Sequence, residues 1–137
     1  MSHTINEILD ALTAQVRKEI TEFGLVTYEH FHSGQISAGQ YPVCLLGVGV
    51  QRSSHEITST ETITMEMRVS IIGGADQTDA QMYAFSDQFV DAINTDITLN
   101  GTCIRCLNMD ADPPTMWPKE GKKFVDRRLI IEYRRDR

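Results

Sequence analysis

The sequence predicts an α+β protein in α-β-β-α-β-β order, with an antiparallel sheet, helices packed on one face and long projecting loops. Three observations carry this reading. Ile5, Ile8, Leu9, Leu12, Val16, Ile20 and Phe23 recur at helical spacing, as do Met82, Phe85, Phe89, Val90 and Ile93. Thr62–Ile72 alternates well, with Ile63, Met65, Met67, Val69 and Ile71 on one side and Thr62, Thr64, Glu66, Arg68 and Ser70 on the other. That is an antiparallel strand with one wet face. A second such stretch, Lys123–Tyr133, interleaves basic and apolar residues around Leu129-Ile130-Ile131.

Thr4 and Glu7 form a capping-box start for the first helix, and Gly24 is its expected stop, so it should run from Ile5 to Phe23. A short strand is expected within Leu25–Phe31, then a small polar loop over Ser33–Gln40. Tyr41-Pro42 opens the apolar run Val43–Val50, a strand buried on nearly both faces, with Gly47 and Gly49 marking a bulge or a close approach. Arg52–Thr60 reads as a turn or hairpin tip. Gly73-Gly74 ends the alternating strand, and Thr78 with Gln81 caps the second helix. Asp96–Leu99 reads as a strand, Asn100-Gly101 as a tight turn, and Thr102–Met109 as a further strand. Pro113, Pro114 and Pro118 make Asp110–Gly121 a loop. The 137 residues are expected to form a single domain, 1–137.

Composition narrows the class. No apolar run approaches the ~20 residues of a membrane span, and Met1–Asp10 lacks the pattern of a secretory leader. Synthesis and residence in the cytoplasm of the producing cell are expected. Cys44, Cys103 and Cys106 are odd in number, which argues for free thiols in the core. The net charge of −6 is unevenly spread. Residues 1–118 hold five Lys/Arg against fifteen Asp/Glu, a net of −10, whereas 119–137 hold eight against four, a net of +4. The basic residues fit the solvent face of a strand. They also offer a basic surface for head-to-tail pairing with an acidic one.

No motif assigns a catalytic, cofactor-binding or metal-ligating residue. Cys103-Ile104-Arg105-Cys106 has redox or zinc spacing, but a strand would send its two thiols to opposite faces. His30 and His32 share a strand face without a supporting carboxylate or thiol; His3 and His55 lie elsewhere in the chain. Gly73-Gly74 lacks a phosphate-loop pattern. Asp76, Asp79, Asp87 and Asp91 suit helix-dipole compensation and a solvated face. Ser53-Ser54-His55 lacks the glycines of a nucleophile elbow.

The amphipathic first helix, the Tyr41-Pro42-Val43-Cys44-Leu45-Leu46 strand start, the Thr62–Ile72 strand, the helix ending near Thr98-Leu99-Asn100-Gly101, the Pro-rich loop and the terminal strand Arg127–Tyr133 together span almost the whole chain. This arrangement resembles the tail terminator (tail completion) proteins of long-tailed bacteriophages, which are similar in length and layout. The resemblance implies a non-enzymatic virion assembly protein without cofactor or metal, at the head-proximal end of the tail. It implies a homo-oligomer, a hexameric ring that caps the tail tube protein, stops its polymerisation and offers a surface for head joining to the head–tail connector protein. DNA would pass through the lumen without sequence-specific binding, and no membrane is involved. The basic end Arg134-Arg135-Asp136-Arg137 departs from what free sliding of DNA requires. Candidate protein-interface residues are Met116, Trp117, Lys119, Lys122, Arg134 and Arg135. Met116 and Trp117 are an apolar pair on a proline-stiffened loop, which suits an inter-subunit or tube-contacting arm. The alternatives are another head–tail connector component, a stopper or joining protein, and a small ligand-binding or enzymatic α+β domain, which should show a closed apolar pocket.

Overall fold

Both helices start on the capping boxes the sequence carries. The Thr4 hydroxyl accepts from the Glu7 N–H at 3.2 Å while the Glu7 carboxylate accepts from the Thr4 N–H at 3.3 Å. Thr78 and Gln81 repeat the arrangement at 3.2 and 2.8 Å. The computed structural model describes residues 3–29, 36, 38–54, 60–74, 76–116 and 122–136. Its elements are α1 (Ile5–Glu19), β1 (Leu25–Thr27), β2 (Val43–Ser54), β3 (Thr60–Ile72), α2 (Asp79–Asn94), β4 (Arg105–Ala111), β5 (Thr115–Met116) and β6 (Lys123–Asp136). The protein is thus α+β, with two helices and a six-stranded, mostly antiparallel sheet.

The strands lie in the order β1-β2-β3-β6-β4, with β5 paired to the start of β6. The sheet is not wholly antiparallel, because β1 runs parallel to β2, with Val26 opposite Cys44. The chain between β1 and β2 exceeds the dozen residues a parallel connection needs. β3 is bonded along its length to β2 on one side and to β6 on the other. Its register puts Ile63, Met65, Met67, Val69 and Ile71 on one face, and all five are buried. Cys106 of β4 and Leu129 and Ile131 of β6 share that face by register. These residues form one core with Ile8, Leu12 and Val16 of α1 and Met82, Phe89 and Ile93 of α2. On the opposite face a small cluster of Ile36, Val43 and Ile72, flanked by Leu45 and Phe124, lies where the start of β2 meets the end of β3 and the start of β6.

Several boundaries differ from the sequence reading, each for a local reason. The elements run α-β-β-β-α-β-β-β rather than α-β-β-α-β-β, because Leu25–Thr27 and Thr115–Met116 both pair. α1 ends at Glu19, not Phe23; Ile20 is already extended, although both Ile20 and Phe23 remain in the core. Gly24 is therefore no helix stop. A Cβ there would lie 2.1 Å from the Gln40 carbonyl oxygen, so its role is close approach to the Ala38–Gln40 turn. The β2 bulge falls between Val48 and Gln51, at Gly49, whereas Gly47 stays in register opposite Arg68. The long loops are shorter than expected. β2 and β3 extend through Ser54 and from Thr60, leaving 55–59 outside the described residues. β4 runs to Ala111, and β5 folds Thr115 and Met116 back against Phe124 and Lys123.

Asp96–Leu99 is a turn rather than a strand. The Asp96 carboxylate accepts from the Thr98 hydroxyl at 2.6 Å, the Thr98 N–H at 3.0 Å and the Asn100 N–H at 2.9 Å. Side-chain acceptance of this kind replaces ladder bonds with a local turn. Leu99, Asn100 and Gly101 then take positive φ in succession, which leaves Asn-Gly at a turn that joins α2 to β4 instead of closing a hairpin.

Val69→Asp should destabilise the protein by about 3 kcal/mol or more, since it places an unpaired charge in the core. Glu66→Ala, on the exposed face of the same strand, should stay within about 0.5 kcal/mol. Urea unfolding monitored by circular dichroism measures both; equal shifts would contradict the register.

Candidate functional site

The sheet face turned away from the core is built by alternation. On β6, Val125, Leu129, Ile131 and Tyr133 point to the core, so Asp126, Arg128, Ile130, Glu132 and Arg134 line the other side. β3 adds Glu66 and Arg68 there, β2 adds Arg52 and β4 adds Arg105 and Leu107. A hollow of about 320 Å³ opens on this face, bordered by Glu66, Arg68, Met109, Asp110, Arg128 and Ile130. Leu107 and Met109 are 38% and 54% exposed beside it.

Most charges on this face are matched within the chain. Arg128 donates to Asp110 at 3.0 Å and to Asp112 at 3.5 Å, and these carboxylates hold its pKa above the ordinary arginine value. Arg105 makes a two-pronged contact with Glu132 at 3.1 and 3.2 Å. Arg68 lies 3.8 Å from Asp126. Arg68 and Arg128 are direct cross-strand neighbours, a like-charge pair that is unfavourable unless anions surround it. The Arg52 and Arg134 side chains are exposed and form no hydrogen bond or ion pair among the described residues.

The candidate interface residues do not gather in one place. Met116 lies in β5, opposite Lys123. Trp117 and Lys119 fall outside the described residues. Lys122 places its ammonium 4.1 Å from the centre of the Tyr41 ring, a cation–π contact within the chain. Arg134 and Arg135 stand at the far end of β6, about 40 Å from Lys122 at strand rise. They also part company: Arg134 shares the uncovered face, whereas Arg135 turns to the core side and donates through Nε to Glu61 at 2.8 Å. Glu61 is buried, so this pair seals one end of the core rather than offering a free cation.

Sequence reasoning missed Arg127. It has the parity of Val125 and Leu129, which was the legible signal that it faces inward, and it is only 8% exposed. Its Nη1 donates to Ser86 Oγ of α2 at 2.6 Å; its Nε finds no partner among the described residues. Burial lowers its pKa, while Asp87 and Asp110 oppose that through space. Asn108 of β4 is likewise half satisfied, donating to the Val90 carbonyl at 3.5 Å with its own oxygen unpaired.

The thiols are poorly suited to nucleophilic work. Cys103 precedes β4 instead of lying within it, and its thiol points at the Ile97 carbonyl at 3.6 Å. Burial, assisted by Asp96, pushes Cys103 up to about 11, and burial with Cys103 nearby pushes Cys106 up to about 12. Burial also raises Cys44. Raised values keep these groups protonated at neutral pH, the reverse of an activated thiolate. Among the described residues no three His, Cys, Asp or Glu side chains lie close enough to hold a metal ion. His3 pairs with Glu7 at 2.9 Å, and His30, His32 and His55 fall outside the described residues. No helix among the described residues is long and apolar enough to cross a membrane. No protein-family model matches the chain, and no curated protein matches it.

Ser86→Ala should destabilise the protein by about 1–3 kcal/mol, because it strands the buried guanidinium. Arg127→Met, which removes the charge and keeps the volume, should be nearly neutral or stabilising. Denaturant midpoints of the two variants test this; a larger loss for Arg127→Met would mean the guanidinium is net stabilising.

Proposed function

We propose that the protein is a phage tail terminator, a virion protein that forms a ring at the head-proximal end of the tail tube. In that role it halts tube polymerisation and provides the surface for head joining, with DNA passing through the lumen. The observation that carries the reading is the order of features along nearly the whole chain. These are a capped amphipathic helix, a Tyr-Pro strand start, the alternating β3, a second helix followed by the Thr98-Leu99-Asn100-Gly101 turn, the Pro-rich stretch and a long terminal strand.

Charge placement supports a repeating contact between copies. Residues 76–96 contain Asp76, Asp79, Asp87, Asp91 and Asp96 and no Lys or Arg, so the α2 region is wholly acidic. Arg52 and Arg134 supply unmatched positive charge on the sheet face that lacks helices. Different patches on one subunit give a heterologous contact, which closes into a ring when the rotation permits. The cations of β6 are largely engaged within the chain, through Glu61, Ser86, Asp79 and the Asp110/Asp112 pair. A lumen bordered by such a surface holds phosphate weakly, as sliding DNA requires.

Disrupting this coding sequence in the phage that carries it tests the proposal. Electron micrographs should then show tails of irregular, excessive length and DNA-filled heads without tails. Normal-length tails beside unjoined heads would point to a stopper or joining protein instead.

A further inference from the structure

We propose that the uncovered sheet face of one subunit receives α2 of a second copy. Tyr83 would seat in the hollow beside Met109, and Asp87 and Asp91 would meet Arg52 and Arg134. The proposal deepens the ring reading and rests on it, since it names the two surfaces that join neighbouring subunits.

Tyr83, Asp87 and Asp91 follow one another at i, i+4 and i+8, so they form a single ridge along the helix. Tyr83 is 55% exposed, and neither Asp87 nor Asp91 has an ion-pair partner among the described residues. Asp91 lies in the last turn of α2, which contains no basic residue. A carboxylate there opposes the helix dipole, so an external cation would relieve an existing repulsion.

The receiving face offers the matching chemistry. The hollow has an apolar side, with Met109 and Ile130, and Arg68 and Arg128 at its border can cover an aromatic ring. Arg52 lies opposite Thr64, which is opposite Glu132, and Arg134 lies opposite Thr62, so the two free guanidinium groups flank the end of β3. The spacing agrees. From Tyr83 to Asp91 the ridge is about 12 Å long. From Ile130 to Arg134 the strand rises about 14 Å. The arginine side chains are long enough to absorb the difference.

A second copy is favoured over a foreign partner by this charge and length match between two surfaces of the same chain. The ridge lies on a helix and the hollow on the sheet face that lacks helices. Each subunit therefore carries one of each and can join two neighbours.

Charge reversal tests it with purified protein. One variant carries Arg52→Glu with Arg134→Glu, the other Asp87→Lys with Asp91→Lys; all four positions are exposed. Circular dichroism melting establishes that each folds, and Asp87→Asn with Asp91→Asn serves as a milder substitute. Light scattering should show the wild type as an oligomer and each variant alone with at least tenfold weaker association. An equimolar mixture should reassemble, because every contact is again between opposite charges. If the wild type assembles and both variants assemble equally well, this interface is wrong while the ring reading stands. A wild type that stays monomeric at the highest soluble concentration would overturn the interface and self-assembly together.

Discussion

β3 is bonded on both sides, and its side-chain period is two. Those two facts together constrain everything around it. A slip of one residue would expose Ile63, Met65, Met67, Val69 and Ile71 and bury Thr64, Glu66 and Arg68. That penalty ties β2 and β6 to one register each, since both must present Cys44, Leu46, Leu129 and Ile131 to the same core. The helices then have one apolar surface on which to lay their own stripes, and their capping boxes set where each stripe begins.

The same alternation creates the other side of the molecule. Burying one face of a strand exposes the next residue along, so β6 must display Asp126, Arg128, Ile130, Glu132 and Arg134. Charges that stand close on this face are mostly compensated by opposite or diagonal neighbours on adjacent strands. The edges are managed as well. β1 is only three residues long, and the Arg17 guanidinium takes up its Val26 carbonyl at 2.6 Å. At the other edge the Cys106 N–H bonds the Ile97 carbonyl at 2.6 Å. Open strand edges invite indiscriminate pairing, and occupying them leaves the sheet face and the helix surface as the places where specific contacts can form.

What the sequence disclosed follows from which interactions are local. The capping boxes of Thr4 and Thr78 and the period of β3 depend on residues three or two apart, and they read correctly. The end of α1 did not, because Ile20 and Phe23 keep helical spacing and stay buried even after the helix stops. Asp96–Leu99 looked like a strand by its apolar content, but the Asp96 carboxylate organises it as a turn. Its pKa is lowered by the Thr98 hydroxyl and the Asn100 and Thr98 amides that turn to it. The interface residues were the least legible. Arg134 and Arg135 are adjacent in sequence yet face opposite sides, one free of partners among the described residues and one bound to Glu61. Nothing local in Leu107 or Met109 says that no helix covers them; that depends on where α1 and α2 pack.

Fold, charge distribution and uncovered face all enter the proposed role, in which copies of this chain encircle the end of a tail tube. Immunogold labelling of isolated phage tails with antibody against the protein tests this directly. Gold is expected at one end of each tail, the end that meets the head. Label spread along the tube, or absent from tails that are complete, would contradict it.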